Sequence, residues 1–143
     1  MPMVSVLTPT RSSTQHRHGL LYESYTHQTY PLKELIVMDD SPTPSPFFSS
    51  LSDETVRYIH VKEPTALGAK RNSLASAAAG TVLAHFDDDD YYSPAYLDTM
   101  VSTLTALRAT LSLQIDHPHH PHYLQSQSST SETKSTSSPI LVA

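Results

Sequence analysis

Hydrophobic and polar positions follow two distinct periods along the first hundred or so residues, and neither period continues after that. Residues 3–8 (MVSVLT) are β-rich and run into Pro9, which predicts a first strand. Residues 15–28 carry Leu20, Leu21 and Tyr25 at near-helical spacing, and Pro31 closes that stretch. Residues 32–38 (LKELIVM) predict a second strand leading directly into Asp39 and Asp40. The next six residues, SPTPSP, hold three prolines and predict a loop. Residues 56–61 (VRYIHV) alternate as a half-buried strand does. Residues 66–79 are Ala-rich and predict a helix stopped by Gly80. Residues 81–86 (TVLAHF) predict a buried strand that ends on four consecutive aspartates. Ser93 and Pro94 then match an N-cap and a proline at the first helical position. Behind them Leu97, Met100, Val101, Leu104, Leu107 and Leu111 form one apolar stripe. Strands alternating with helices predict an α/β fold, a mainly parallel sheet with helices on both faces.

Past about residue 116 the pattern stops. HPHHPH at 117–122 has no period, and residues 126–138 hold ten Ser or Thr in thirteen positions. Such a segment buries too little apolar surface to offset its ordering entropy. The expected organisation is therefore one domain over 1–113 and a disordered tail over 114–143, His/Pro-rich and then Ser/Thr-rich.

Composition narrows the function. At 143 residues the chain has room for one domain. The net charge is −5, and no stripe of Lys and Arg runs along any segment, which argues against a nucleic-acid partner. Cysteine is absent, which removes disulfides, thiolate zinc sites and cysteine nucleophiles. The start, MPMVSVLTPT, lacks the basic flank and cleavage site of a secretory signal, and no apolar run is long enough to span a bilayer. The expectation is a cytoplasmic protein without a transmembrane segment.

The chemistry centres on Asp87, Asp88, Asp89 and Asp90. Adjacent carboxylates repel one another, and a hard divalent cation such as Mg²⁺ or Mn²⁺ relieves that repulsion. Alternate residues of a strand point the same way, so Asp87 and Asp89 are expected to share one face, where they could hold one metal between them. In parallel sheets ligands collect at the carboxyl ends of strands, so this run and the Asp39–Asp40 pair are expected to border one crevice. A solvated acidic turn is the alternative reading. An EF-hand loop starting at Asp87 fails because Tyr92 stands where glycine must turn the chain. A phosphatase D-x-D-x-T motif fails at Tyr91. Residues 67–73 (LGAKRNS) are not a P-loop, but they put Gly68, Lys70 and Arg71 near a helix start, where free N–H groups and the helix dipole favour phosphate. An ordinary basic helix surface is the alternative there. His117, His119, His120 and His122 lie among prolines without a partner carboxylate, a poor pattern for a metal site. His85, Tyr91 and Tyr92 read as packing residues.

VSVLTPTR, QTYPLKELIVMDDS, LGAKRNSLASAAAG and VLAHFDDDDYYSP occur in the order and spacing of family 2 glycosyltransferases, and the resemblance covers roughly residues 3–101. It implies a partial GT-A, Rossmann-like fold comprising the nucleotide-sugar-binding half. It further implies that Pro9, Thr10 and Arg11 border the nucleotide and that Asp40 accepts a hydrogen bond from uracil. Lys70 and Arg71 would approach the diphosphate, and Asp87 and Asp88 the nucleotide-sugar. Asp87 and Asp89 match the DxD motif; Asp89 is the foremost metal ligand, and Asp90 extends the set toward metal, sugar or ribose. The implied cofactor is Mn²⁺ or Mg²⁺ and the implied donor a UDP-sugar. The implied reaction is hexosyl transfer to an unknown acceptor with inversion.

Two departures qualify this resemblance. The loop after Asp40 is Ser-Pro-Thr-Pro where the family is glycine-rich. Downstream of Asp98 only Asp116 and Glu132 are acidic, and neither stands in an acceptor motif, so the general base is unassigned. A non-catalytic nucleotide-sugar-binding remnant is therefore the alternative to an active transferase.

Overall fold

The computed structural model describes residues 1–115 and 140–142. Its strands are β1 (Val4–Thr10), β2 (Lys33–Asp39), β3 (Val56–His60), β4 (Val82–His85) and β5 (Ile140–Val142). Its helices are α1 (His18–Thr26), α2 (Pro46–Ser50), α3 (Leu67–Ala77) and α4 (Tyr96–Ile115), with a 3-10 turn at Ser12–Arg17 leading into α1. The five strands pair in parallel in the order β3-β2-β1-β4-β5. The chain winds outward from β1 through β2 to β3 and then crosses back to β4. The winding direction therefore reverses between β1 and β4, the place where doubly wound sheets open a crevice at their carboxyl ends.

Alternating residues of the central strands feed two cores, as the period of a strand requires. Val4, Val6, Leu35, Val37, Val82 and Ala84 meet Leu21 and Tyr25 of α1, Phe48 of α2, and Leu97 and Val101 of α4. On the opposite face Leu7, Ile36, Met38 and Leu83 pack on Leu74 of α3. The expected α/β fold with helices on both faces is thus observed. The sheet is pinned at its amino-terminal end by Glu34, which is buried in β2. Its Oε1 accepts the Ser5 hydroxyl at 2.6 Å and the Ala79 N–H at 2.8 Å, and its Oε2 pairs with Arg57 at 3.1 Å.

Several local expectations need correction. Gly80 does not stop α3, which ends three residues earlier. A Cβ there would lie 2.7 Å from the Met3 carbonyl oxygen and 2.8 Å from the Ser5 nitrogen, so the glycine serves the close approach of two backbones. The SPTPSP segment is not all loop. Ser45 caps α2 by accepting the Phe48 N–H at 3.3 Å, and Pro46 is that helix's first residue. Pro94 lies in a turn, and α4 begins at Tyr96; the Gln28 side chain satisfies the N–H of Leu97 at 3.0 Å. The apolar stripe of α4 splits. Leu97 and Val101 are buried, whereas Leu107 and Leu111 are 58% exposed beyond the edge of the core. Leu20 of α1 is 63% exposed, so only Leu21 and Tyr25 of its expected apolar set are buried. The expected boundary at 113 is crossed by α4, and within the expected tail residues 140–142 form β5, in register with β4. The His/Pro and Ser/Thr stretches lie outside the described residues.

Candidate functional site

A cavity of about 390 Å³ opens at the reversal point, above the carboxyl ends of β1 and β4. Pro9, Thr10 and Arg11 line it from the end of β1, Asp40 from the end of β2, Leu67, Lys70 and Arg71 from the start of α3, and Asp87, Asp88 and Asp89 from the turn after β4. Every expected site residue except Asp90 lies on this lining. Pro9 occupies a central strand, where its missing N–H would ordinarily break the ladder. The Phe86 N–H donates to the Leu7 carbonyl at 3.1 Å, so odd-numbered positions of β1 face β4. β4 ends at His85, so Pro9 stands just where the ladder stops.

The four aspartates leave the strand as a turn, and strand alternation does not govern them. The turn gathers carboxylate oxygens of Asp87, Asp89 and Asp90 within 4.8 Å of one another. Asp88 stands outside that group, and its Oδ2 accepts the Thr10 hydroxyl at 2.5 Å. Tyr92 holds the turn from below. Its ring stacks on Phe86 with centroids 3.8 Å apart, and its hydroxyl accepts the Asp87 N–H at 2.7 Å. Burial of that phenol pushes its pKa up to about 12. Tyr92 packs as expected, whereas Tyr91 is 81% exposed. Arg17 reaches the Asp89 carbonyl at 3.4 Å from the outer side.

The basic and acidic groups facing this turn are unequal in freedom. Lys70 is buried, and its Nζ donates to Asp40 Oδ1 at 2.9 Å and to the Thr10 carbonyl at 3.0 Å. Asp40 Oδ2 accepts the Thr65 N–H at 2.9 Å. Burial raises the Asp40 carboxyl, but the Thr65 and Lys70 hydrogen bonds outweigh it, and the net shift is downward. With Thr65, Lys70 and its own backbone N–H as donors, the Asp40 carboxylate keeps one lone pair for a further donor. Arg11 and Arg71 are exposed at the rim. The first turn of α3, from which Leu67, Lys70 and Arg71 line the cavity, has no side-chain cap on its leading N–H groups. A Cβ on Gly68 would touch nothing, so the packing of this chain does not demand a glycine there.

Behind the cavity lies a hydrogen-bonded network that pattern reading missed. His18 is fully buried, with Nε2 2.7 Å from the Thr10 hydroxyl and Nδ1 2.7 Å from the Ser45 hydroxyl. The Ser45 N–H donates to the Tyr58 hydroxyl at 2.8 Å, and that hydroxyl donates to Asp39 Oδ2 at 2.7 Å. Asp39 also accepts the N–H and hydroxyl of Ser41. Burial raises the Asp39 carboxyl, and these donors together hold it below its usual value. The Ser45–Pro46 pair carried the same cap signature that was read at Ser93–Pro94, so Ser45 was findable. His18 carried no signal, because a buried histidine on a short helix resembles any other polar residue.

Comparison with known proteins gives the family and the fold. The model of Glycosyl transferase family 2 matches residues 5–129. EpsH of Bacillus subtilis (strain 168), a protein named as a glycosyltransferase, is 32% identical over 107 residues, covering 71% of this chain. The chain spans only 30% of that relative's length. Crystal structures of S. aureus TarS share the fold. One has a TM-score of 0.60 at 23% identity, over 74% of this chain and 20% of TarS. Another, of TarS 1-349 in complex with UDP-GlcNAc, has a TM-score of 0.58 at 19% identity, over 84% of this chain and 37% of that one. The chain belongs to glycosyl transferase family 2, of which it carries a partial GT-A, Rossmann-like fold.

Proposed function

We propose that this chain forms the donor-binding half of a glycosyltransferase, holding a UDP-sugar and a divalent cation in the cavity between β1 and β4. The observation that carries the proposal is the convergence, around one cavity, of Asp87 and Asp89, whose carboxylates gather with that of Asp90, the Arg11 and Arg71 side chains and the uncapped start of α3. Carboxylates gathered within 4.8 Å suit a hard cation, and the facing positive groups suit a diphosphate. The UDP-GlcNAc complex of TarS, which shares the fold, supports uridine as the nucleoside of the donor.

In this reading Asp87, Asp89 and Asp90 hold Mn²⁺ or Mg²⁺, which supplies Lewis-acid neutralisation of the charge growing on the leaving diphosphate. Asp40 accepts the uracil ring N–H with a remaining lone pair. Pro9 and the Thr10 backbone border the nucleotide, and Asp88 anchors the acidic turn beside the sugar. Lys70 acts on the diphosphate only indirectly, by neutralising Asp40 and holding β1 against α3. Transfer in the whole protein proceeds with inversion: an acceptor hydroxyl gives its proton to a carboxylate base and its oxygen bonds to the anomeric carbon. The bond from that carbon to the diphosphate oxygen breaks, and the electron pair leaves on UDP. The described residues downstream of the acidic turn include one carboxylate, Asp98, which is bound to the Thr29 hydroxyl. That observation favours a second reading, in which this chain binds the donor without transferring it.

Calorimetric titration of UDP with and without Mn²⁺, on the chain and on Asp89→Ala, tests the donor site. Metal-dependent binding weakened tenfold or more in the variant is expected. A folded chain that binds UDP equally well with and without metal, or not at all, sinks the assignment. Release of UDP from UDP-sugar in the presence of candidate acceptors separates the transferase from the binding reading.

A further inference from the structure

We infer that His18 is a positioning residue for the donor site, fixing Asp88 and the acidic turn through Thr10 and tying that turn to the start of α2 through Ser45. The inference rests on the donor-site reading for its consequence, but not for its geometry.

The proton positions follow from counting donors. Thr10 has one hydroxyl proton, and the Asp88 carboxylate, an acceptor only, takes it at 2.5 Å. The Thr10 oxygen must then accept from His18, so Nε2 carries a proton. At the other end the Ser45 oxygen receives the Phe48 N–H and is free to give its own proton to Nδ1. The ring is fully buried and stacks obliquely on Phe48 with centroids 5.0 Å apart, an environment that disfavours a charged imidazolium. The result is a one-way series of donors, Ser45 to His18 to Thr10 to Asp88. It stretches from the α2 cap to the turn that carries Asp87, Asp89 and Asp90. Ser45 is in turn fastened through its N–H to Tyr58 and so to Asp39. The acidic turn on the cavity and the loop that leads into α2 are thus tied to one imidazole. A partner of this kind does not touch the ligand; it holds the turn whose neighbouring carboxylates do, and since loss of a support bonded to a metal ligand itself commonly costs affinity tenfold to a hundredfold, about tenfold is expected here.

Three substitutions in the full chain test the series. His18→Gln can still donate to Thr10 from its amide nitrogen. His18→Asn reaches only Ser45, and His18→Phe keeps the packing on Phe48 with neither hydrogen bond. Three readouts are taken: the ring tautomer of the wild type by long-range ¹⁵N NMR, backbone amide shifts without ligand, and Mn²⁺ affinity by electron paramagnetic resonance. The expected results are a neutral Nε2–H ring and amide shifts at residues 87–90 in the Asn and Phe variants. Mn²⁺ affinity should fall about tenfold in those two and stay within about threefold of wild type in the Gln variant. A protonated or Nδ1–H ring overturns the inference. So does a set of folded variants whose Mn²⁺ affinities are unchanged while their melting temperatures fall, the pattern of packing alone. If the wild type binds neither Mn²⁺ nor UDP, the donor-site reading fails. The tautomer and the ligand-free shifts at 87–90 still decide whether His18 orients the turn.

Discussion

Replacing Lys70 by methionine separates two roles for the same charge. The Nζ–Oδ1 distance of 2.9 Å corresponds to a gross attraction of roughly 6 kcal/mol at an effective dielectric of about 20. Desolvation of two side chains exposed by only 6% and 12% offsets much of that, so the intact pair contributes little net stability. Removing one partner is different, because Asp40 keeps its charge in a poorly solvated place and the Thr10 carbonyl loses a donor. The expected loss for Lys70→Met is about 3–5 kcal/mol, a figure typical of breaking a buried pair. The assay is urea unfolding of Lys70→Met, Asp40→Asn and the double variant. The double variant should be more stable than the sum of the two single losses predicts, by about 2 kcal/mol or more, since the neutral pair leaves no uncompensated charge. Single losses below about 1 kcal/mol that add within about 0.5 kcal/mol would refute the reasoning. A Lys70 charge held for phosphate would then be the better account, with UDP affinity lost and stability kept.

Three other outcomes follow from the packing and the titrating groups. Gly80→Ala should cost about 1–3 kcal/mol by urea unfolding, because its Cβ would press on the Met3 carbonyl and Ser5 at 2.7–2.8 Å. Leu74→Ala, which empties the centre of the smaller core, should cost about 2–5 kcal/mol, whereas Leu107→Ala on the exposed end of α4 should stay within about 0.5 kcal/mol. Stability should fall with pH in two windows. Burial lowers the His18 and His85 pKa values from 6.5, so the unfolded chain binds protons first and stability declines as pH drops below 6.5. Asp39, Asp40 and Asp53 are held below 3.8, so their contribution is complete above that value and is lost as pH falls through their folded values. Urea midpoints measured from pH 3 to 8 check both, and His18→Gln should flatten the upper window in part.

The fold was readable because the central strands are buried on both faces and the helices on one. That contrast produces long apolar runs in residues 32–38 and 81–86 and a helical stripe behind Ser93. Where tertiary contacts overrode the local pattern, the reading failed. Gly80 looked like a helix stop because crowding against Met3 and Ser5 leaves no trace in its neighbours. β5 was hidden, since three apolar residues behind a polar stretch have no period to detect. The cavity lining was legible because its residues sit at or just past strand ends, where apolar runs break into charge. The internal pairing of Lys70 was not, since a lysine that neutralises Asp40 and one that awaits a phosphate are spelled alike. Nor did alternation anticipate that Asp90 would join Asp87 and Asp89, because β4 ends before the acidic run begins.

The proline at position 9 gives the cavity its permanence. A parallel sheet grows by adding one donor–acceptor rung after another, and the next rung between β1 and β4 would require an N–H at residue 9. None exists there, so the main-chain ladder goes no further, and the acidic turn meets the end of β1 through the Asp88 and Thr10 side chains instead. The mouth of the crevice is therefore fixed by main-chain chemistry, and side chains around it can change without closing it. In that sense the opening is part of the scaffold, and only its selectivity is left to the residues that line it.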